Sequence, residues 1–387
     1  MLMKTHGFII TLFIIVVLAA DASMSLDAFS FLKKLTAGTF SFSKSVASRF
    51  FSVNTIEINS KLPKHLKFES QFGVYSTVWT AKSKRINSLI KIADETEVNA
   101  IVIDVKDGSV YIDNHIKNLV SELHEKNIYV IARIVVFQDG SQIKNHTDWY
   151  FKTSGGDLWK DNRGWHWMDP SNLEAWEYNL IAAKQAVDAG FDELNFDYIR
   201  YPGFKKDDDV VFAPVLKNQV INEFAEYLTS ELKKYDPAIM LSIDLFAYNM
   251  LRKDDLGIGQ NFKELYDYFD YISPMIYPSH YASGNFGFDN PAEYPYEVVL
   301  GTIQSGKNQL REKIIFENGT STPALVNPIL EKEIKKLRPW LQDFNVGAIY
   351  DGEMIRKEKQ AVYDAGLTSG WLLWNPRNIY TESALDK

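Results

Sequence analysis

Acidic and basic side chains recur in this sequence at two-residue spacing inside short apolar runs, a pattern able to support acid–base chemistry. Asp104 and Lys106 lie near the end of AIVIDVKD (100–107), and Arg133 lies within IYVIARIVVF (128–137). Glu193, Asn195, Asp197 and Arg200 fall in FDELNFDYIR (191–200), and Ser242 and Asp244 in IMLSIDLF (239–246). In an extended chain alternate side chains share a face, so Glu193, Asn195 and Asp197 point one way. Ser242 with Asp244, and Val102 with Asp104 and Lys106, should do the same. A buried carboxylate is costly unless paired, so three strands aiming acids into one interior signal a cluster with tuned ionisation. On that reading Asp197, Asp244 and Asp104 are the candidate catalytic groups, tuned by Lys106, Arg133 and Arg200, which are also candidates to bind substrate. A structural reading is also open: Asp104–Lys106 and Asp197–Arg200 as ion pairs closing the top of a barrel. Glu193, deeper in its strand, suits a structural pair.

The elements that must position these residues follow from the hydrophobic pattern. Mostly apolar strands are expected over 72–79, 100–105, 128–137, 193–200, 239–246, 271–277, 337–344 and 370–374. Helical spacing falls between them, over 83–96, 116–126, 172–189, 215–234, 262–269 and 354–365. Buried strands separated by amphipathic helices mean a parallel sheet covered on its outer face. The fit is an α/β fold, a (β/α)8 TIM barrel with loop insertions over residues 70–387, with segment 312–336 inserted before the seventh strand. An open doubly wound sheet fits less well, because no Gly-x-Gly-x-x-Gly follows a strand and no P-loop is present.

Barrel sites lie at the carboxyl ends of the strands, which adds Tyr277, His280, Gln342 and Trp374 as substrate-lining candidates. The long loop 138–170 carries Trp149, Tyr150, Trp159, Trp165, His166 and Trp167. Flat aromatic faces suit sugar rings, and Trp167 is the candidate there; a loop packed on itself as a lid fits the same residues.

Composition narrows the classes. Of 387 residues, 46% are hydrophobic and 24% charged, which describes a globular chain and not a disordered one. The absence of cysteine excludes disulfides, thiolate metal sites and a cysteine nucleophile. A net charge of −8 leaves no overall basic footprint for nucleic acid, and weighs only weakly against an anionic glycan because a groove can differ from the whole. There is no HExxH and no Gly-x-Ser-x-Gly, which argues against a zinc protease and a serine hydrolase. No cofactor or metal is expected, since nothing in the spacing of Asp104, Asp197 and Asp244 compels one.

The first segment looks like an address. The apolar run 8–20 would span roughly 20 Å as a helix, short of a ~30 Å hydrocarbon core, and Ala20-Asp21-Ala22 offers small-x-small cleavage. Residues 1–22 are therefore expected to be a signal peptide, or if uncleaved a membrane anchor, and the remainder secreted, periplasmic or in the cell envelope. The basic stretch 23–69 reads as a linker or loosely packed lead-in, and the whole as a monomer.

Ten ordered blocks carry a family resemblance. They are GVYST (73–77), NAIVIDVKD (99–107), IYVIARIVVFQD (128–139), FDELNFDYIRYP (191–202), SIDLFAY (242–248), GIGQ (257–260), YISPMIYPSHY (271–281), PYEVV (295–299), RPWLQDF (338–344) and GWLLWNP (370–376). Together they resemble a bacterial glycosyl hydrolase family of TIM-barrel type, otherwise classed as a domain of unknown function, over essentially 70–380. The resemblance implies an exported barrel glycosidase. A partial likeness to the chitinase DxxDxDxE pattern puts Asp192, Asn195 and Asp197 in its first three places, but Ile199 where the glutamate would stand. That departure disfavours the substrate-assisted route; an aspartate nucleophile at the end of the fourth strand, as in other barrel glycosidases, suits Asp197.

The resulting expectation is a polysaccharide hydrolase with Asp197 as nucleophile or base and Asp244 as general acid. Two alternatives stand beside it, a non-catalytic carbohydrate-binding barrel and a metal-dependent hydrolase or deacetylase.

Overall fold

A computed structural model describes residues 65–387. The expected signal segment and most of the expected lead-in lie outside the described residues. Eight parallel strands close into a barrel: β1 (Gln71–Ser76), β2 (Ala100–Asp107), β3 (Tyr129–Val135), β4 (Glu193–Asp197), β5 (Met240–Phe246), β6 (Tyr271–Met275), β7 (Trp340–Gln342) and β8 (Gly370–Trp374). Each pairs with the next, and β1 pairs with both β2 and β8, so no edge is left open. A two-residue antiparallel strand, Ser109–Val110, folds back on the end of β2.

Period two separates the layers. Val74, Ile101, Ile103, Val130, Ala132, Leu194 and Ile243 face outward into the main core, under the helices. Tyr75, Val102, Ile131, Trp340 and Leu372 face inward with the polar side chains. The outer cover comprises α1 (Ile86–Glu95), α2 (Asn114–Glu125), α3 (Leu173–Asp188), α4 (Lys217–Tyr235), α5 (Pro295–Asn318), α6 (Pro323–Glu333) and α7 (Gly352–Asp364). Side-chain caps start several of them: Asp113 accepts from the Ile116 amide at 3.1 Å, and Asn172 from Ala175 at 3.0 Å. Gly370 opens β8 at φ 91°, where a Cβ would lie 2.0 Å from the Gln71 carbonyl oxygen, so only glycine fits.

Four expectations need correction. The fourth strand stops at Asp197 because Tyr198 adopts φ 58° and turns the chain, so Arg200 is not part of it. The seventh strand shrinks to Trp340–Gln342, with a single bridge from Leu337 to Ile272, because Pro339 has no amide to donate. The segment 312–336 is not one insertion. Its start is the last two turns of α5, which ends at Gly319 in the left-handed region, and α6 is the added helix.

Nor is the whole lead-in loose. The His65 imidazole pairs with Asp236 at 2.6 Å, and the Leu66 amide donates to Asp192 at 2.6 Å. Phe68 meets Tyr129 edge to face, so residues 65–68 plug the amino-terminal end of the barrel.

Candidate active site

Three strands deliver carboxylates to one arginine. Asp104 from β2, Asp197 from β4 and Asp244 from β5 all face inward near the carboxyl ends of their strands and surround Arg133 of β3. The guanidinium donates to Asp104 Oδ1 through Nη1 at 2.6 Å and to Asp197 Oδ2 through Nη2 at 2.5 Å. Its Nε lies 3.9 Å from Asp244 Oδ2. The Tyr75 hydroxyl caps the other oxygen of Asp104 in a short hydrogen bond. Asp197 Oδ1 accepts the Tyr198 amide at 2.7 Å, an interaction that depends on the left-handed turn at that residue. Asp244 Oδ1 accepts from Asn195 Nδ2 at 2.9 Å and from the Trp340 indole at 2.7 Å.

One cation serves three acids, and the electrostatics follow from that ratio. Burial pushes the Asp244 carboxyl up to about 8, the nearby Asp197 charge adds to the rise, and Arg133 opposes it. Burial also raises Asp104 against the pull of Arg133 and Tyr75. Burial works against the charge on Arg133, but Asp104 and Asp197 hold its pKa well above the ordinary value. The arrangement therefore holds a protonated carboxyl on Asp244 at neutral pH beside Asp197, to which Arg133 and a backbone amide both donate. A carboxyl whose pKa is raised, next to a second carboxyl held by hydrogen bonds, is equipment for acid–base or nucleophilic catalysis at an acetal carbon.

Aromatic rings wall the cluster on the β6–β8 side. Tyr277 stacks on Trp374 at 5.6 Å between centroids, with Phe344 edge-on to both. On the β1–β2 side a cavity of 140 Å³ is lined by Tyr75, Thr77, Trp79, Asp104, Asp107 and Tyr111. Trp79 is 68% exposed there and meets the Tyr111 ring at 5.5 Å. That platform beside Asp104 escaped the sequence reading, in which Trp79 was only the end of the first strand. Its signal was a large aromatic just past a strand's carboxyl end.

The family model that matches residues 73–380 is described as "Putative glycosyl hydrolase domain". The chain belongs to this family. No curated protein matches the chain. Among solved structures it is similar to a hypothetical protein from Ruminiclostridium thermocellum, with 33% identity over 48% of this chain and 98% of that one, at a TM-score of 0.41. It is also similar to the α-galactosidase TtGalA of Thermus thermophilus (12% identity, 81% of this chain, 60% of that one, TM-score 0.46). A third is the spore cortex-lytic enzyme SleL of Bacillus megaterium (12% identity, 83% and 74%, TM-score 0.48).

Within this glycosyl hydrolase barrel the other candidate residues disperse. Lys106 is fully buried and its ammonium is tied to Asp139 at 2.7 Å and to the Val135 carbonyl at 2.6 Å. A register shift between Asp104 and Lys106 breaks the two-residue period, so the two do not share a face and do not pair. Lys106 anchors the start of the long loop, away from the three aspartates.

Trp167 is also buried, its indole bonded to Asp161 at 2.9 Å and its ring packed on Arg200 and Tyr198. Trp149, Tyr150 and Trp159 are buried with it, so loop 138–170 is chiefly a self-packed lid, with Trp165 its exposed aromatic. Gln342 is enclosed too, accepting from the Ser279 hydroxyl at 2.8 Å and donating to the Phe344 carbonyl at 2.9 Å. It shapes the β6 loop through these contacts.

His280 is exposed at the rim against Tyr277 and Phe344. Arg200 makes no ion pair with Asp197, and Glu193 pairs with Arg338 at the lower end. The space between the three aspartates is filled by the Arg133 guanidinium. Among the described residues no group of three or more acids and histidines is arranged to hold a metal ion.

Proposed function

We propose that this glycosyl hydrolase is an exported, monomeric enzyme that cleaves a polysaccharide, with Asp244 as general acid and Asp197 as nucleophile. Glycosidic cleavage passes through an oxocarbenium-like transition state, in which a proton must reach the leaving oxygen as charge develops at the anomeric carbon. Asp244 has the proton, because burial and its anionic neighbour hold its carboxyl near 8. Asp197 faces it across the same guanidinium, and Arg133 and the Tyr198 amide orient the carboxylate for attack. The single observation that carries the reading is the convergence of Asp104, Asp197 and Asp244 on one guanidinium, with burial raising the Asp244 carboxyl. A nucleophilic Asp197 goes with retention of the anomeric configuration. The export part rests on the apolar run and cleavage pattern in residues 1–22.

The test begins with a panel of bacterial and plant polysaccharides. On any glycan cleaved, Asp197→Asn should abolish turnover. Asp244→Asn should slow poor leaving groups far more than activated aryl glycosides, since only the former need the proton. NMR of the first-formed product should show the retained anomer. Full hydrolysis by Asp197→Asn would end the assignment, and binding of a glycan that the wild-type chain never cleaves would favour a carbohydrate-binding barrel.

A further inference from the structure

Arg200 lies on the rim between β4 and β5 in an unusual setting. Its guanidinium carbon is 4.6 Å from the centroid of Trp167 and 4.8 Å from those of Tyr198 and Phe246. Three rings thus hold the side chain in one orientation. The guanidinium has five N–H groups, and the structure satisfies them with one bond, from Nη1 to the Tyr201 carbonyl at 3.0 Å.

The acids that face it are already engaged. Asp161 accepts the Arg163 and Trp165 amides and the Trp167 indole. Asp197 accepts from Arg133 and the Tyr198 amide. Neither approaches Arg200 to ion-pair distance. Burial lowers its pKa, offset by Tyr198, Asp197 and Asp161, while Arg163 adds a like charge. Arg163 itself is exposed, and its field also reaches Tyr198 and His280.

Cation–π contact replaces only part of the hydration a guanidinium loses, and leaves most of its fork of donors without an acceptor from the protein. A planar fork with free N–H groups, held rigid beside a catalytic cluster, matches a carboxylate in bidentate geometry. We propose that Arg200 is a specificity-determining residue that pairs with a carboxylate on the glycan, so that the preferred substrate is an acidic polysaccharide with a uronic-type sugar. This rests on the reading of the aspartate cluster as the catalytic site. The cluster strengthens it, since Asp104 and Asp197 already engage Arg133 and leave the floor of the site no free cation for an acidic substituent. The β4–β5 rim under Arg200 offers the acidic substituent a favourable place, with Arg163 adding to the attraction.

The test pairs glycans that differ only in charge. Hexamers of galacturonate, glucuronate and mannuronate, and their carboxyl-reduced counterparts, are titrated calorimetrically into the full-length Asp244→Asn protein. Hydrolysis of the same six is followed with wild type. At least one acidic hexamer should bind about tenfold or more tighter than its reduced partner, the worth of one charge-assisted bidentate contact. Arg200→Gln should bring that pair to within about twofold, and Arg200→Lys, which keeps the charge without the fork, should retain part of the preference.

The proposal is overturned if no acidic hexamer outbinds its reduced partner. It is also overturned if a folded Arg200→Gln variant, or Arg200→Lys should the former not fold, leaves the ratio as in the parent. Cleavage of neutral glycans without charge preference would overturn it and leave the hydrolase reading standing. Arg200-dependent binding without cleavage by wild type would support it and count against the catalytic assignment.

Discussion

The barrel interior contains two assemblies of acid and arginine, four residues apart on the same face of β4, and they are built to opposite ends. At the lower end Glu193 meets Arg338, both fully buried, through paired contacts. Tyr129, Ser242 and, through Arg338, Gln71 take up further hydrogen-bonding capacity. One acid faces one arginine, whose Nε alone finds no partner. At the upper end three aspartates face one arginine, and a cavity opens beside Asp104. Matched charge gives a rigid layer that holds strands in register. Unmatched charge leaves a proton on a carboxyl that would otherwise have lost it. The same residue types on the same strand therefore serve packing or chemistry according to stoichiometry and access, and not according to burial, which both share.

Paired substitutions separate the two ends. Asp197→Asn should lower kcat on a cleaved glycan by on the order of 10³-fold while leaving the denaturant midpoint near wild type, because two aspartates remain to satisfy Arg133. Glu193→Gln should do the reverse. Stranding Arg338 in the interior should cost about 3–5 kcal/mol in urea unfolding, with activity per folded molecule much less affected. Equal effects of the two substitutions on both measurements would erase the distinction.

The proton on Asp244 gives a pH test with a defined sign. Its carboxyl titrates at about 8 in the folded chain and at ~3.9 when unfolded, so the folded state binds the extra proton between those values. The stability it contributes is full below about pH 4 and is lost as pH rises through about 8. Wild-type thermal stability should therefore fall relative to Asp244→Asn across that window, and kcat should lose its general acid on an alkaline limb near 8. An alkaline limb unchanged in Asp244→Asn would assign the proton elsewhere. The smallest effect concerns the open flank of the upper cluster. Trp79→Ala should raise KM several-fold with kcat little changed, as expected for the loss of one stacking platform worth about 0.5–1.5 kcal/mol.

Much of this was legible in the sequence, for reasons that differ residue by residue. Asp197 and Asp244 could be assigned to one interior because strict alternation in LNFD and SIDL leaves their outward neighbours apolar. Lys106 looked equivalent and is not, because a bulge one residue before it is a matter of pairing with β3 that no local pattern records. Trp167 and Trp79 were inverted in importance. The tryptophan in the conspicuous loop is buried as the support of Arg200, whereas the one past β1 faces open space. Helix α5 was missed because its one buried face carries Thr302, Gly306 and Gln309 while Phe316 stands exposed, which blurs the apolar stripe that marked the other helices.

By itself the sequence determined that the chain would alternate buried strands with helices and carry its acids inward at the strand ends. That information is local, written in periods of two and 3.6 residues, and it suffices for a barrel. Only the tertiary structure decided which acids would share a cation, that Arg133 rather than Lys106 or Arg200 would be that cation, and that Arg200 would be left with an unfilled fork. Partnership of charges depends on angstrom-scale separations between strands far apart in the chain, and those are set by closure, bulges and a single left-handed turn at Tyr198.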